Sequence, residues 1–187
     1  MIAVREDFED IMWNIPSTFE ERHPLGFEPI QRYFAIRELR SSEALASQEF
    51  FHHLDWLDVR IRFASRHFCF DLFFPKPSEG GTSVAFVALD AAQAILGVAN
   101  LVSLSSNSAE VATIVRSDCK RCGIGRALLL HATERARRDG LSELIAYVQP
   151  ENRVALRFAH AMGFRSIGED HFCIEVSRQF SSLKPSS

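Results

Sequence analysis

A short basic segment with two glycines is the clearest sign of binding chemistry in the chain. The strand-like run Ala109–Val115 leads into Lys120-Arg121-Cys122-Gly123-Ile124-Gly125-Arg126, and a helical pattern follows at once. The first N–H groups of a helix lack intrahelical acceptors, and the helix dipole favours an anion there. The two glycines let the backbone approach a ligand, and the three cations add positive charge. The segment therefore predicts a phosphate-binding site, with exposed helix-start charge as the alternative for Arg121 and Arg126.

Glu110 is the best candidate for a general base. In strict strand alternation it shares a face with Ala112 and Ile114, beside the expected ligand contacts. A carboxylate in that position could take a proton from a reacting group. The alternative is a solvated or ion-paired strand glutamate, because most glutamates lie at the surface.

Cys119 and Cys122 form a Cys-x-x-Cys that overlaps the start of the same segment. Such a pair could be redox-active or supply half a zinc site. No second pair stands at metal-ligand spacing, and His131 is the only nearby histidine. We therefore expect two reduced thiols and no metal.

The pattern of apolar residues predicts one mixed α/β domain, in which helices and strands position these groups. The runs from Val84 to Val115 favour an antiparallel meander, because only short turn-like segments separate them. The apolar block Leu144–Val148 favours a buried strand parallel to the strand before the preceding helix. The predicted strands are Ile30–Glu38, Val84–Leu89, Ile95–Leu104, Ala109–Val115, Leu144–Val148 and Phe172–Val176. The predicted helices begin at Ser42, span Trp56–Phe63, run from about Gly125 to Gly140, and run from Asn152 to Gly163; Pro75–Ser83 is a loop. In the last helix we expect Val154, Ala155, Phe158 and Met162 on one face.

The stretch from Ala109 to Phe164 resembles the core of the GNAT superfamily of N-acetyltransferases. The superfamily signature is Gln/Arg-x-x-Gly-x-Gly/Ala, and this chain has Lys120-x-x-Gly123-x-Gly125. A second match is Glu151-Asn152 after a strand, followed by a helix that ends in Gly163-Phe164. The Ala109–Ala112 lead-in and the Asp58–Phe63 stretch are similar, more narrowly, to the bacterial protein-lysine acetyltransferase branch.

This resemblance implies a GNAT-like mixed sheet flanked by helices, and acetyl-CoA as cosubstrate. The amides of Arg121 to Arg126 would hold the CoA diphosphate, and Ile114 and Val115 would pair with the pantetheine arm. Asn152 would reach toward the pantetheine, or would serve as a plain helix N-cap. In the lysine acetyltransferase branch a glutamate at the position of Glu110 is the general base.

The resemblance also implies acetyl transfer to a primary amine, carried by a protein lysine or a small molecule. Many family members place a tyrosine in the last helix to protonate the departing thiolate, and this chain has Ala159 there. The alternative function is therefore a non-catalytic acyl-CoA-binding regulatory domain.

Composition sets the remaining expectations. A net charge of -3 does not suggest a nucleic-acid-binding protein, and no apolar run approaches the length of a membrane helix. The N-terminal residues lack a signal-peptide pattern, which favours a cytoplasmic location. Eleven of the sixteen phenylalanines fall in residues 1–74, where some could line an acceptor cleft or support a homodimer. We expect an N-terminal extension over residues 1–29, the acetyltransferase domain over 30–180, and a disordered tail over 181–187.

Overall fold

The computed structural model describes residues 34–40, 44–63, 81–169 and 173–181. Within these ranges the chain forms one mixed α/β unit with a seven-stranded sheet and four α-helices. The elements are β1 Ala35–Glu38, α1 Ala44–His52, α2 Trp56–Phe63, β2 Ser83–Leu89, β3 Ile95–Ser103, β4 Ser108–Val115, α3 Ile124–Arg138, β5 Glu143–Val148, α4 Arg153–Ala161, β6 Arg165–Glu169 and β7 Ile174–Gln179.

The sheet has the strand order β1-β2-β3-β4-β5-β7-β6. Strands β1 to β4 are antiparallel neighbours, so the predicted meander is confirmed. Strand β5 runs parallel to β4, which confirms the prediction for the block after α3. A parallel neighbour requires a crossover connection, and α3 supplies it.

Helix α3 covers one face of the sheet, and its own sequence period explains why. Ile124, Leu128, Ala132 and Ala136 recur at a spacing of four, and all four are buried. They join a core cluster with Phe86, Ala99 and Val111 from the central strands. Burial of this stripe fixes where the start of α3 lies relative to the end of β4.

The opposite face of the sheet carries a second, smaller core. Val87, Val98 and Ile114 point to this side, where they pack against Phe50 of α1. Side chains alternate along a strand, so Glu110 lies on the same face as Ile114. The sheet therefore separates the side of α3 from the side of α1 and Glu110.

Helix α4 differs from its predicted face at one position. Leu156 and Ala159 are buried, and Ala155, Phe158 and Met162 pack against the larger core. Val154 is 66% exposed, so its predicted place in the buried stripe is wrong. At about 100° per residue, the stripe through Ala155, Ala159 and Met162 leaves Val154 on the outer side.

The last two strands form a hairpin that sequence analysis resolved only in part. Strand β7 covers Ile174–Gln179, later than the predicted Phe172–Val176, and it lies between β5 and β6. Strand β6 is exposed along its whole length and has no apolar run, so it was not predicted. The predicted extension over residues 1–29, the start of the first strand and residues 182–187 of the tail lie outside the described residues.

Helix α3 lies close against the sheet at Gly97 of β3. An added Cβ would lie 3.0 Å from Ile124 Cγ2, 3.0 Å from Leu128 Cδ1 and 3.1 Å from the Ile114 carbonyl oxygen. We expect Gly97→Ala to lower the free energy of unfolding by about 1–3 kcal/mol, because the first turn of α3 must move away. Chemical denaturation measures this, with Gly168→Ala on β6 as the control. A Cβ at Gly168 meets its neighbours at 3.5 Å or more, so equal losses in the two variants would contradict the close approach.

His131 of α3 makes stability depend on pH. Its ring packs edge-on against Phe86 with centroids 4.9 Å apart, and burial together with Arg138 and Arg135 lowers its pKa below 6.5. Below about pH 6.5 the unfolded chain binds more protons at this group, so the free energy of unfolding falls as pH falls. We expect His131→Phe to reduce the loss of Tm between about pH 7.5 and about pH 5.5. The exposed His52→Gln is the control; an unchanged slope in His131→Phe would contradict this role.

Candidate functional site

Strands β4 and β5 are paired only over their first halves. The parallel register covers Ser108 with Glu143, Ala109 with Leu144 and Glu110 with Ile145. Beyond Glu110, β4 stays paired with β3 up to Val115, and β5 stays paired with β7 up to Val148. The sheet therefore opens between residues 111–115 of β4 and residues 146–148 of β5. We call this opening the strand gap; within the described part of the chain the β4 edge that faces it pairs with no strand, so its backbone groups are available to an extended ligand.

Glu110 lies at the point where the strand gap begins. It is half-buried and belongs to the last hydrogen-bonded pair before the strands part. Tyr147 of β5 lies two residues beyond Ile145 and so shares its face with Glu110. Partial burial and the carboxylates of Glu175 and Glu110 raise the pKa of Tyr147, so its hydroxyl stays protonated at neutral pH. A carboxylate and a phenol therefore lie on the same face of the sheet beside the strand gap.

The start of α3 lies at the far end of β4 and is open to an anion. Gly123 is the N-cap residue, with φ +78°, and it has no side chain with which to cap the helix. Arg121 also has a positive φ, +65°. No acidic residue lies in the first turn of α3. The first amides of any helix lack an intrahelical acceptor, so the phosphate site predicted at this helix start stays an expectation.

The cations of the basic loop, residues 120–126, differ in their surroundings. Arg121 and Arg126 are exposed. Lys120 forms an ion pair with Asp58 of α2. Arg116, just before the loop, donates two hydrogen bonds to Asp118 at 3.0 and 2.8 Å, which raises its own pKa and holds the pKa of Asp118 at about 2. All three cations of the loop are therefore exposed, and Lys120 is in addition tied to α2 by its ion pair.

Gly125 of the basic loop lies close to the end of β4, at the open end of the strand gap. A Cβ on this residue would lie 3.5 Å from Val115 Cγ2 and 3.9 Å from Phe158 Cζ of α4. The Cα–Cβ direction of this residue therefore points toward the end of β4 and toward α4. Phe158 was not predicted to be near this site. Ile124, in contrast, is buried in the core, so it can offer a ligand only its backbone.

Asn152 is the N-cap of α4. Its side-chain oxygen accepts a hydrogen bond from the Ala155 N–H at 3.0 Å. The N-cap interpretation is therefore confirmed. The side-chain amide nitrogen is not used by this cap, which leaves the predicted contact with a pantetheine arm as a separate expectation.

Within the described part of the chain, neither Cys119, just before the basic loop, nor Cys122, inside it, forms a disulfide. Cys119 is buried in the larger core, and Cys122 is half-buried with its thiol directed to the Lys120 carbonyl at 3.5 Å. Among the described residues, no group of three or more His, Cys, Asp or Glu side chains is arranged to hold a metal ion. In the same part of the chain, no helix has the length and apolar character needed to cross a membrane.

Sequence analysis missed three residues that the fold brings to this site. Asp58 and Ser117 contact each other although 59 residues separate them, and Tyr147 reaches the site through the pairing of β4 with β5. No local spacing signals any of the three. Asp58 was noted only as part of the Asp58–Phe63 stretch.

Comparison with solved structures finds the same fold in several acetyltransferases. The GNAT domain of S. lividans PAT matches with a TM-score of 0.70 and 16% sequence identity, over 79% of this chain and 90% of that chain. The PaiA N-acetyltransferase from Thermoplasma acidophilum, solved in complex with coenzyme A, matches with a TM-score of 0.63 and 16% identity, over 79% of this chain and 99% of the other. Spermidine N-acetyltransferase from Vibrio cholerae, solved with CoA and spermine, matches with a TM-score of 0.62 and 18% identity, over 81% of this chain and 96% of the other.

A family-level match covers the site itself. The sequence profile described as the acetyltransferase (GNAT) family matches residues 35–164, which are 130 of the 187 residues in the chain. This range includes the strand gap, the basic loop and α4. The chain therefore belongs to the acetyltransferase (GNAT) family.

Proposed function

We propose that this chain transfers an acetyl group from acetyl-CoA to a primary amine by direct attack within a ternary complex. The observation that carries the proposal is the strand gap, with Glu110 at its closed end and an uncapped helix start beyond its open end. The gap suits an extended thioester arm, and the helix start suits a diphosphate. Two structures of the same fold hold CoA, which is consistent with this assignment.

The cofactor would bind chiefly through backbone groups. The amides of the basic loop would donate to the diphosphate, with Arg121, Arg126 and more distantly Lys120 supplying charge. The pantetheine would run along β4 at Ile114 and Val115, as an added strand does, and would pass Gly125 and Asn152. The acetyl group would then enter the strand gap from the side of α3 and reach the face of Glu110.

Glu110 would act as the base for the acceptor. An amine with an ordinary lysine pKa near 10.4 is almost fully protonated at pH 7, and freeing its lone pair costs about 4.6 kcal/mol. The carboxylate would accept this proton directly or through water. The nitrogen then attacks the thioester carbon, and backbone N–H groups on β4 would stabilise the oxyanion. The thiolate of CoA leaves when the C–S bond breaks; Ala159 offers it no proton, and a thiol-like pKa lets it leave without one.

The acceptor is a primary amine, carried either by a protein lysine or by a small molecule. The narrower similarity to the protein-lysine branch supports the first, and the spermine in the Vibrio cholerae structure is consistent with the second.

Release of free CoA thiol tests the proposed function. The purified chain is mixed with acetyl-CoA and, in separate reactions, with spermine, free lysine, aromatic monoamines and an unfolded lysine-containing peptide. We expect release above background with at least one acceptor, and acetylated product of matching mass. Tight CoA binding with no release from any acceptor would contradict catalysis and favour a regulatory acyl-CoA-binding domain.

A further inference from the structure

The corner between α1 and α2 is fastened to the turn that precedes the basic loop. Ser117 lies at the centre of this contact. Its N–H donates to the His53 carbonyl at 3.3 Å, and its hydroxyl accepts a hydrogen bond from the Asp55 N–H at 2.8 Å. The same hydroxyl donates to Asp58 Oδ2 at 2.7 Å. Ser117, in the turn before the basic loop, therefore forms hydrogen bonds with three residues of the α1–α2 corner.

Asp58 joins this contact to the basic loop itself. Its Oδ2 atom accepts from Ser117 and also from Lys120 Nζ. Lys120 is the first residue of the basic loop, and Asp58 lies in the first turn of α2. A single carboxylate oxygen therefore links α2, the turn and the loop, across 59 and 62 residues of sequence.

The geometry of the hydrogen bonds to Asp58 contributes more to the position of α2 than the ion pair with Lys120 contributes to stability. The side chains of Asp58 and Lys120 are 24% and 46% exposed, and an exposed ion pair by itself stabilises a protein little. Charge-assisted hydrogen bonds are nevertheless strongly directional, and two of them converge here on one atom. The contact therefore fixes the position of α2 relative to the loop.

This contact also connects the two sides of the sheet. Helix α1 packs on the face that carries Ile114 and Glu110, whereas the basic loop opens α3 on the opposite face. The α1–α2 corner reaches the loop around the carboxyl end of β4. The α1–α2 corner would therefore contact both the side that binds the acceptor, at the face of Glu110, and the loop that binds the diphosphate.

We propose that Asp58 is a positioning residue, through which binding of CoA to the basic loop and docking of α2 reinforce each other. This inference rests on the proposed function, because it requires CoA to bind at that loop. Ordering of residues 120–126 by the diphosphate holds Lys120 and Ser117 in place for Asp58. Docked α2 in turn holds the loop in the geometry that receives the diphosphate.

Hydrogen exchange of backbone amides tests the coupling without a known acceptor. The probe is CoA itself, added at saturation to the full chain. In the wild type we expect CoA to slow exchange in the basic loop and also in α2, the latter by about fivefold or more. In Asp58→Ala we expect protection of the loop alone, and in Asp58→Asn, which keeps an acceptor for Ser117, an intermediate effect.

Reciprocity gives a second, quantitative test. If CoA stabilises docking of α2 by some factor, docking strengthens CoA binding by the same factor. Calorimetric titration should therefore show a higher Kd for CoA in Asp58→Ala than in the wild type. The increase should not exceed the factor by which CoA slows amide exchange in α2 of the wild type. Removal of a negative charge near an anionic ligand would by itself tighten binding. Weaker CoA binding by Asp58→Ala would therefore show that the lost positioning contact outweighs the change in charge.

Glu49→Gln on α1 is the matched control, because it removes an exposed carboxylate from the neighbouring helix and should change neither measurement. If Asp58→Ala does not fold, Ser117→Ala removes the hydrogen bond to Asp58 from the other side, leaves the Lys120 ion pair in place and should show a smaller change in the same direction. CoA binding that leaves exchange in α2 unchanged, or equal or tighter binding by folded Asp58→Ala, would overturn this inference alone. Absence of any CoA binding by the wild type would overturn the proposed function and this inference with it.

Discussion

Replacement of Glu110 by glutamine is expected to lower turnover by about 10²–10⁴ at neutral pH, which is the usual contribution of a positioned base. Glutamine keeps the size of the side chain but cannot accept a proton. Glu110 lies at the closed end of the strand gap and on the opposite face from α3, so its carboxylate would meet the acceptor and not the diphosphate. The affinity for acetyl-CoA should therefore change little.

The pH dependence of this loss separates a base from a structural carboxylate. As pH rises, more of the acceptor is already neutral, so the wild type and Glu110→Gln should converge. Glu175→Gln is a matched control, because it removes a carboxylate from the same face of the sheet in β7. We expect it to lower turnover by less than about tenfold. Unchanged turnover in Glu110→Gln would remove Glu110 from the mechanism, and a parallel loss of CoA binding would make it structural.

Gly125→Val is expected to weaken CoA binding by about 100-fold or more, since several charge-assisted backbone hydrogen bonds to the diphosphate would be lost. A Cβ here meets Val115 and Phe158 at ordinary contact distances, so the protein should still fold. The branched methyl groups of valine would instead crowd Val115 and Phe158 and extend toward the path proposed for the pantetheine. Calorimetric titration with CoA measures the effect, and circular dichroism checks the fold.

Gly125→Ala provides the graded control and should weaken binding less than valine does. Gly123→Val is a less specific test of the same site, because it also strains the backbone. No atom of the described residues lies within 4 Å of an added Cβ at Gly123, but its φ of +78° would cost a valine about 1–2 kcal/mol of backbone strain. Wild-type CoA affinity in folded Gly125→Val would show that the cofactor does not pass this residue.

Much of the fold could be predicted because its signals are local. The fourfold spacing of Leu128, Ala132 and Ala136 predicts α3, and Asn152 predicts the start of α4. The apolar block after α3 predicts the strand parallel to β4. Strand β6 carries no such signal, because exposed residues at the edge of a sheet need not alternate.

The candidate site was predicted in its parts but not in its geometry. Glu110 and the basic loop follow from residue types and from the resemblance to a family. The strand gap depends on where pairing between β4 and β5 ends, and no residue in either strand marks that point. The contact of Lys120 with Asp58 joins residues 62 apart in sequence, so it follows from packing of the whole fold.

A crystal structure of the chain with bound CoA tests the central claim most directly. We expect the diphosphate to lie against the amides of residues 121–126, and the pantetheine to run along Ile114 and Val115 into the strand gap. The sulfur should then end near the closed end of the gap, with Glu110 on the far side of the sheet from α3. CoA bound away from the start of α3, or β4 and β5 closed together with the sulfur elsewhere, would contradict the account.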